Sequence, residues 1–141
     1  MLMRLMVSTW GLLFSLMVGT AWAEVVVVVS AQNPTETLSR AELSDIYLGR
    51  LNRFPSGVAV ELVDQPESSP AYNEFYRSYL EKTPTQIKAH RSKLIFTGRG
   101  QPPALVANDS AMANIIAVSP RAIGYLDSAT IDERLRVVLI E

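Results

Sequence analysis

The residues whose types and spacing could do chemistry in this sequence are mainly cationic. The segment from residue 82 to residue 108 contains no aspartate or glutamate. A segment with basic residues and no acidic ones creates a local positive field in a chain whose formal net charge is only −1. It therefore predicts a surface that attracts anions, and a solvated helix face is the alternative with the same composition. Its five cations are Lys82, Lys88, Arg91, Lys93 and Arg99.

A second candidate for anion binding is the loop at residues 67–69. It runs directly into Pro70, and a serine followed by proline is a common way to begin a helix. Free backbone N–H groups, two hydroxyls and the positive end of a helix together suit phosphate or carboxylate. The expected anion ligands are Ser68, Ser69 and the Tyr72 amide, with Arg91, Lys93 or Arg99 as the countercharge.

Catalysis is poorly supported by the sequence. There is one histidine, no cysteine, no Gly-x-Ser-x-Gly motif and no His, Asp and Glu set at metal-binding spacing. His90 lies among Lys88, Arg91 and Lys93, where a solvated helix residue is more typical than a catalytic base. We therefore predict that the protein is not an enzyme and holds no metal or cofactor. Its near-neutral charge also argues against a general nucleic-acid binder.

The first 23 residues have the organisation of a secretory signal peptide. Arg4 precedes an apolar run over residues 5–18, and small residues occupy positions 21 and 23. We expect cleavage after Ala23, which leaves a single periplasmic domain at residues 24–141 with no stable membrane insertion. An uncleaved membrane anchor is the alternative, because the run extended to Ala23 approaches the length that spans a bilayer. Without cysteine, no disulfide can form in that compartment, so packing must stabilise the domain.

Strand and helix patterns alternate along the rest of the chain. Val25 to Val29 is a β-branched run without alternation, which is typical of a central strand buried on both faces. An aromatic stripe over residues 72–80 at helical spacing is more typical of a core than of a ligand platform. Alternation of this kind predicts an α/β fold, a three-layer sandwich with a mostly parallel central sheet. Further strands are expected at residues 58–63, 122–126 and 137–140, and helices after Ser39, Ser69, Thr83 and Asn108.

Four short motifs resemble the phosphate-binding proteins of ABC transporters and their short single-domain relatives. An Asn33-Pro34 loop precedes a helix that ends in Ile46-Tyr-Leu-Gly49, and residues 119–125 read Ser-Pro-Arg-Ala-Ile-Gly-Tyr. Residues 63–69 and 94–103 match at the expected order and spacing. The resemblance spans residues 24–141 and implies one lobe of a type 2 periplasmic binding protein. It also implies a solute-binding-like protein for phosphate or another small anion, connected with ABC-type phosphate transport.

The loop at residues 67–69 and the start of the next helix can be compared with the phosphate-binding loop of this family, one residue at a time. The family has Gly-Ser-Gly-Thr-Arg there, and Ser69 matches its serine. Ser68 and Pro70 replace the two glycines, and proline removes an amide donor. Ala71 replaces the threonine, and Tyr72 replaces the arginine that pairs with phosphate.

These replacements, together with Glu67, favour a different class of function. In that alternative the chain is a non-catalytic envelope adaptor or sensor partner that keeps the fold and binds a protein. The loop from Thr97 to Pro103 would then be its contact surface, since loops rich in glycine and proline often carry function.

Overall fold

Six strands and four α-helices make up the domain. The computed structural model describes residues 24–141. A π-helical segment, Tyr76–Leu80, follows α2, and a 3₁₀ turn, Ser128–Thr130, precedes the last strand. The signal peptide expected at residues 1–23 lies outside the described residues and stays a prediction. In chain order the structure contains β1 (Val25–Ser30), β2 (Thr37–Leu38), α1 (Arg40–Tyr47), β3 (Glu61–Asp64), α2 (Pro70–Phe75), α3 (Pro84–Phe96), β4 (Ala104–Leu105), α4 (Asp109–Val118), β5 (Ala122–Asp127) and β6 (Leu135–Ile140).

The strands form one sheet in the order β2-β6-β1-β5-β3-β4. β1 is antiparallel to both of its neighbours, whereas the other three pairings are parallel. Five strands therefore run in one direction and only β1 runs against them. Val27, Val28 and Val29 are buried because helices cover both faces of the sheet at this strand. The mostly parallel sheet and the central position of the valine run are both confirmed.

Two apolar clusters, one on each face of the sheet, give the fold its three layers. Val27 and Val29 of β1 point to the cluster formed with α1, α2, the π-helical segment and Ile87 of α3. Val28 points the other way, into the cluster with Met112 and Ile116 of α4. This alternation is the two-residue period of a strand. The predicted three-layer sandwich is confirmed.

Three of the four expected helix starts are capped as the sequence indicates. Ser39 and Thr83 each form a reciprocal capping box with the residue three positions on, and the Asn108 side chain accepts the N–H of Ala111. Ser69 is the N-cap of α2, but its side chain makes no capping hydrogen bond. Its hydroxyl is instead used in the site described below.

The two shortest strands were not predicted from the sequence, and two predicted strands begin at other residues. The strand expected at residues 137–140 begins at Leu135. β2 and β4 have two residues each, too few for a periodic pattern, and both lie at the edges of the sheet. The strand expected at residues 58–63 begins only at Glu61, because Ala59 forms an isolated bridge with Arg53 instead. Within residues 24–141 no helix is both long enough and apolar enough to cross a lipid bilayer.

Candidate functional site

The best-defined polar site in the domain surrounds the carboxylate of Asp64, whose side chain is 1% exposed at the end of β3. Oδ2 accepts hydrogen bonds from the Tyr76 hydroxyl at 2.6 Å and from Arg91 Nη1 at 2.7 Å. Oδ1 accepts the N–H of Gln65 at 2.9 Å and the hydroxyl of Tyr125. We call these four groups the Asp64 donor set: the Gln65 N–H, the Tyr76 and Tyr125 hydroxyls and the Arg91 guanidinium.

Four separate parts of the fold bring this donor set together. β3 places Asp64 beside Tyr125 of the neighbouring strand β5, the π-helical segment contributes Tyr76, and α3 contributes Arg91. The Arg91 guanidinium also donates to the Tyr76 hydroxyl, so two donors are linked to each other. Phe75 stacks on the Tyr125 ring at 4.1 Å between centroids and fixes its position. Packing thus holds the donors in place before any solute arrives.

The protonation states follow from burial. Burial raises the pKa of the Tyr76 and Tyr125 phenols, and the negative charge of Asp64 raises it further. For Arg91, partial burial lowers the pKa, but Tyr76 and Asp64 outweigh this and the net pKa is raised. At neutral pH the phenols are therefore neutral donors and the guanidinium is charged. Such an arrangement can hold an oxyanion.

The raised phenol pKa values predict a loss of stability in alkaline solution. Burial, and then Asp64, raises the pKa of Tyr47, Tyr76 and Tyr125 in the folded protein. The folded state then holds more protons than the unfolded state above the ordinary phenol pKa of about 10. We expect the free energy of unfolding to fall as the pH rises through that value, measured by urea denaturation with circular dichroism. A free energy of unfolding that stays constant between about pH 9 and about pH 11 would contradict the raised phenol pKa values.

The loop after β3 is largely occupied by its own hydrogen bonds. The Ser69 hydroxyl donates to Gln65 Oε1 at 2.6 Å, and the Ser69 N–H donates to the Pro66 carbonyl at 2.8 Å. The Tyr72 N–H donates to the Ser69 carbonyl at 3.2 Å, so it is not the free donor that the sequence led us to expect. Ser68 is exposed at the tip of the loop.

The predicted cations fall into two groups. Arg91 lies beside the loop through its ion pair with Asp64, and Lys88, one turn earlier on α3, lies 3.7 Å from Glu67. Lys93 and Arg99 both line an open groove beside α3. Arg99 also lines a larger groove to which Arg91 contributes. The structure therefore brings Arg91 and Arg99 to one groove, and within residues 24–141 no hydrogen bond links Arg91 to Ser68 or Ser69.

Comparison with known proteins shows that other proteins of known structure share this fold. No protein-family model and no curated protein sequence matches the chain. Solved structures do match over 84% of it. A phosphate ABC transporter substrate-binding protein from Clostridium perfringens, solved with bound phosphate, has a TM-score of 0.67 at 12% identity, and PstS from Borrelia burgdorferi has 0.66 at 14%. An ABC-type phosphate transport receptor from Vibrio cholerae has 0.58 at 17%.

The chain shares its fold with substrate-binding proteins of phosphate transporters. The family resemblance read from the sequence is thus confirmed at the level of the fold. The chain covers 45%, 46% and 47% of the lengths of the Clostridium, Vibrio and Borrelia proteins, so it spans less than half of each. This share corresponds to one lobe of a periplasmic binding protein.

Most of the Asp64 donor set was not predicted from the sequence. Asp64, Gln65 and Tyr125 were not singled out, and Tyr76 was assigned to the core. One pattern could have found the first two, since polar residues that directly follow a buried parallel strand often face a binding crevice. The convergence of the tyrosine hydroxyls leaves no local pattern. Within residues 24–141 no cluster of histidine, aspartate and glutamate could hold a metal ion.

Proposed function

We propose that the chain is a non-catalytic, periplasmic binding domain that takes phosphate or another small oxyanion, in connection with ABC-type phosphate transport. Four donors converge on one oxyanion position, which the Asp64 carboxylate fills. The observation that carries this proposal is the charged Arg91 guanidinium, which Asp64 and Tyr76 hold in place and whose side chain is still 20% exposed. The likeness in fold to proteins of phosphate transport supports the same ligand class. Neutral hydroxyls, amides and an arginine, which are the groups present here, are donors that suit an oxyanion.

Binding by the natural chain should be weak, because Asp64 already occupies the oxyanion position. A solute anion therefore has to bind at the exposed side of Arg91, whose side chain is 20% exposed. Arginine has five N–H donors, and the donor set uses only one on each terminal nitrogen. Lys88 lies one turn before Arg91 on the same face of α3, and the carboxylate of Glu67, 3.7 Å from Lys88, opposes an anion there. We expect a dissociation constant in the millimolar range.

Thermal unfolding of the exported protein tests the proposal. At one hundred times its dissociation constant a ligand stabilises by about 2.7 kcal/mol, which raises Tm by several degrees in a domain of this size. We expect phosphate to raise Tm more than sulfate or chloride at equal ionic strength. Lys88→Gln should reduce the phosphate shift, and the matched Lys93→Gln should leave it unchanged, because only Lys88 lies beside the loop.

Two outcomes would count against this site. Equal shifts with all three anions would indicate nonspecific screening and would contradict the proposal. A shift reduced by Lys93→Gln and unaffected by Lys88→Gln would move the anion to the open groove beside α3. Tyrosine emission or circular dichroism reports unfolding, because both tryptophans precede residue 24.

Binding of a partner protein is the second candidate function. It is favoured by the exposed side chain of Phe96 at the end of α3, next to the loop that the sequence indicated as a contact surface. An exposed aromatic ring offers an inorganic anion neither a hydrogen-bond donor nor a positive charge. The adaptor alternative therefore applies to a different surface from the Asp64 donor set.

A further inference from the structure

An open groove of about 750 Å³ lies along the edge of the domain next to β4. Leu51, Val60 and Leu62 contribute apolar surface to it, and the segment from Gly98 to Ala104 forms one wall. A neighbouring depression of about 640 Å³ is lined by Phe96 and Lys93. We call the two together the edge groove.

The edge groove carries a surplus of positive charge. Lys93, Arg99 and Arg121 line it, and none of them forms an ion pair with another residue of the described chain. The one carboxylate that lines it, Glu61, accepts a hydrogen bond from Ser119 at 2.7 Å. A negatively charged partner would therefore meet unpaired cations in a region with few competing acids.

Apolar side chains and an open strand edge lie beside these cations. Phe96 is 93% exposed, Leu105 66% and Ile95 52%. β4 pairs only with β3, so its outer edge offers unpaired backbone groups, and Ala104 of that strand lines the groove. Exposed apolar patches mark interaction sites, and open sheet edges accept added strands.

We propose that the edge groove binds an extended, acidic segment of a partner protein that adds as a strand along β4. In this mode main-chain hydrogen bonds supply affinity, and side-chain pockets supply specificity. Acidic residues of the segment would pair with Arg99 and Arg121, and an apolar residue would cover Phe96. A membrane surface would use the same charge and apolar contacts, but a flat bilayer does not fill a concave groove. Arg91 also lines the edge groove, but this inference uses Phe96, Arg99 and Arg121 and does not rest on oxyanion binding at Asp64.

Selection from a random heptapeptide phage library on protein purified from the periplasm tests this inference. We expect the selected peptides to be rich in aspartate and glutamate and to contain aliphatic or aromatic residues. A synthetic copy of the best peptide should lose at least about tenfold in affinity with Phe96→Ala or with the pair Arg99→Glu and Arg121→Glu. Circular dichroism establishes that each variant is folded.

Matched controls on other surfaces make the result specific. Val118→Ser removes an exposed apolar side chain from α4, and Arg77→Glu reverses an exposed charge after α2, so both should leave peptide affinity unchanged. Selection of neutral or basic peptides, or affinity that the groove variants do not alter, would overturn the proposal. So would Phe96-dependent binding to phosphatidylglycerol vesicles without peptide binding. The phosphate-dependent Tm shift should stay at its wild-type value in Phe96→Ala, because this change removes no charge.

Discussion

Replacement of Asp64 by alanine is expected to lower the free energy of unfolding by about 3–5 kcal/mol, the usual range when one partner of a buried ion pair is removed. The change leaves the hydroxyls of Tyr76 and Tyr125 buried without their acceptor, and it leaves Arg91 without its counterion. Each buried polar group that loses its partner adds to the loss. Urea denaturation followed by circular dichroism measures the difference.

The same variant should become dependent on added anions. The alanine leaves a carboxylate-sized space bounded by the Asp64 donor set, and formate has the size and charge to fill it. We expect formate to raise the Tm of Asp64→Ala more than chloride does, and phosphate to bind the variant more tightly than the natural protein. Such a response would indicate that the donor set holds an oxyanion whether or not it is attached to the chain.

Asp45→Ala is the matched control. Its carboxylate lies 3.7 Å from Arg50 and is well exposed, so the pair should contribute no more than about 1 kcal/mol. Formate should not stabilise this variant selectively. A loss of stability as small for Asp64→Ala as for Asp45→Ala, or an absence of formate dependence, would contradict the role assigned to the donor set.

Phe75→Ala is expected to cost about 3–5 kcal/mol of stability, as for other fully buried phenylalanines. Phe75 is completely buried, stacks on Tyr125 and lies 4.7 Å from the Tyr47 ring. Phe96→Ala removes the same atoms from an exposed position and should change stability by no more than about 0.5 kcal/mol. Denaturant midpoints of the two variants give the comparison, and similar losses would contradict the assigned positions of the two rings.

Much of the fold could be predicted because its determinants are local. The valine run of β1 has no polar alternation, which indicates burial on both faces, and β1 is central. The capping residues Ser39, Thr83 and Asn108 each act within three or four residues of their own position. Local patterns of this kind predict a strand or a helix start without knowledge of the tertiary structure.

The site could not be predicted in the same way, because its groups meet only in three dimensions. Asp64, Tyr76, Arg91 and Tyr125 come from four parts of the chain, and each has an ordinary alternative role when considered alone. The aromatic stripe was correctly assigned to the core, since Tyr76 is buried, but nothing local indicates where its hydroxyl points. Arg91 was grouped with Lys93 and Arg99 by sequence proximity, whereas Arg91 shares a groove with Arg99 and Lys93 lines a different one.

The exposure of Phe96 has a similar cause. Phe96 lies on α3 with two other large apolar residues, Ile87 and Leu94. Only Ile87 is buried, because the end of α3 extends past the rest of the first apolar cluster. The aromatic ring is left at the edge groove, where it supports the proposed docking site.

Phosphate titration of the ¹⁵N-labelled protein tests the central claim most directly, because it reports where an anion binds. We predict chemical-shift changes at the amides of residues 65–69 and at the side-chain Nε of Arg91, and larger changes with phosphate than with chloride. The Lys93 and Arg99 signals should stay in place. Changes confined to residues 93–99, or no phosphate-selective change at millimolar concentration, would contradict oxyanion binding beside Asp64.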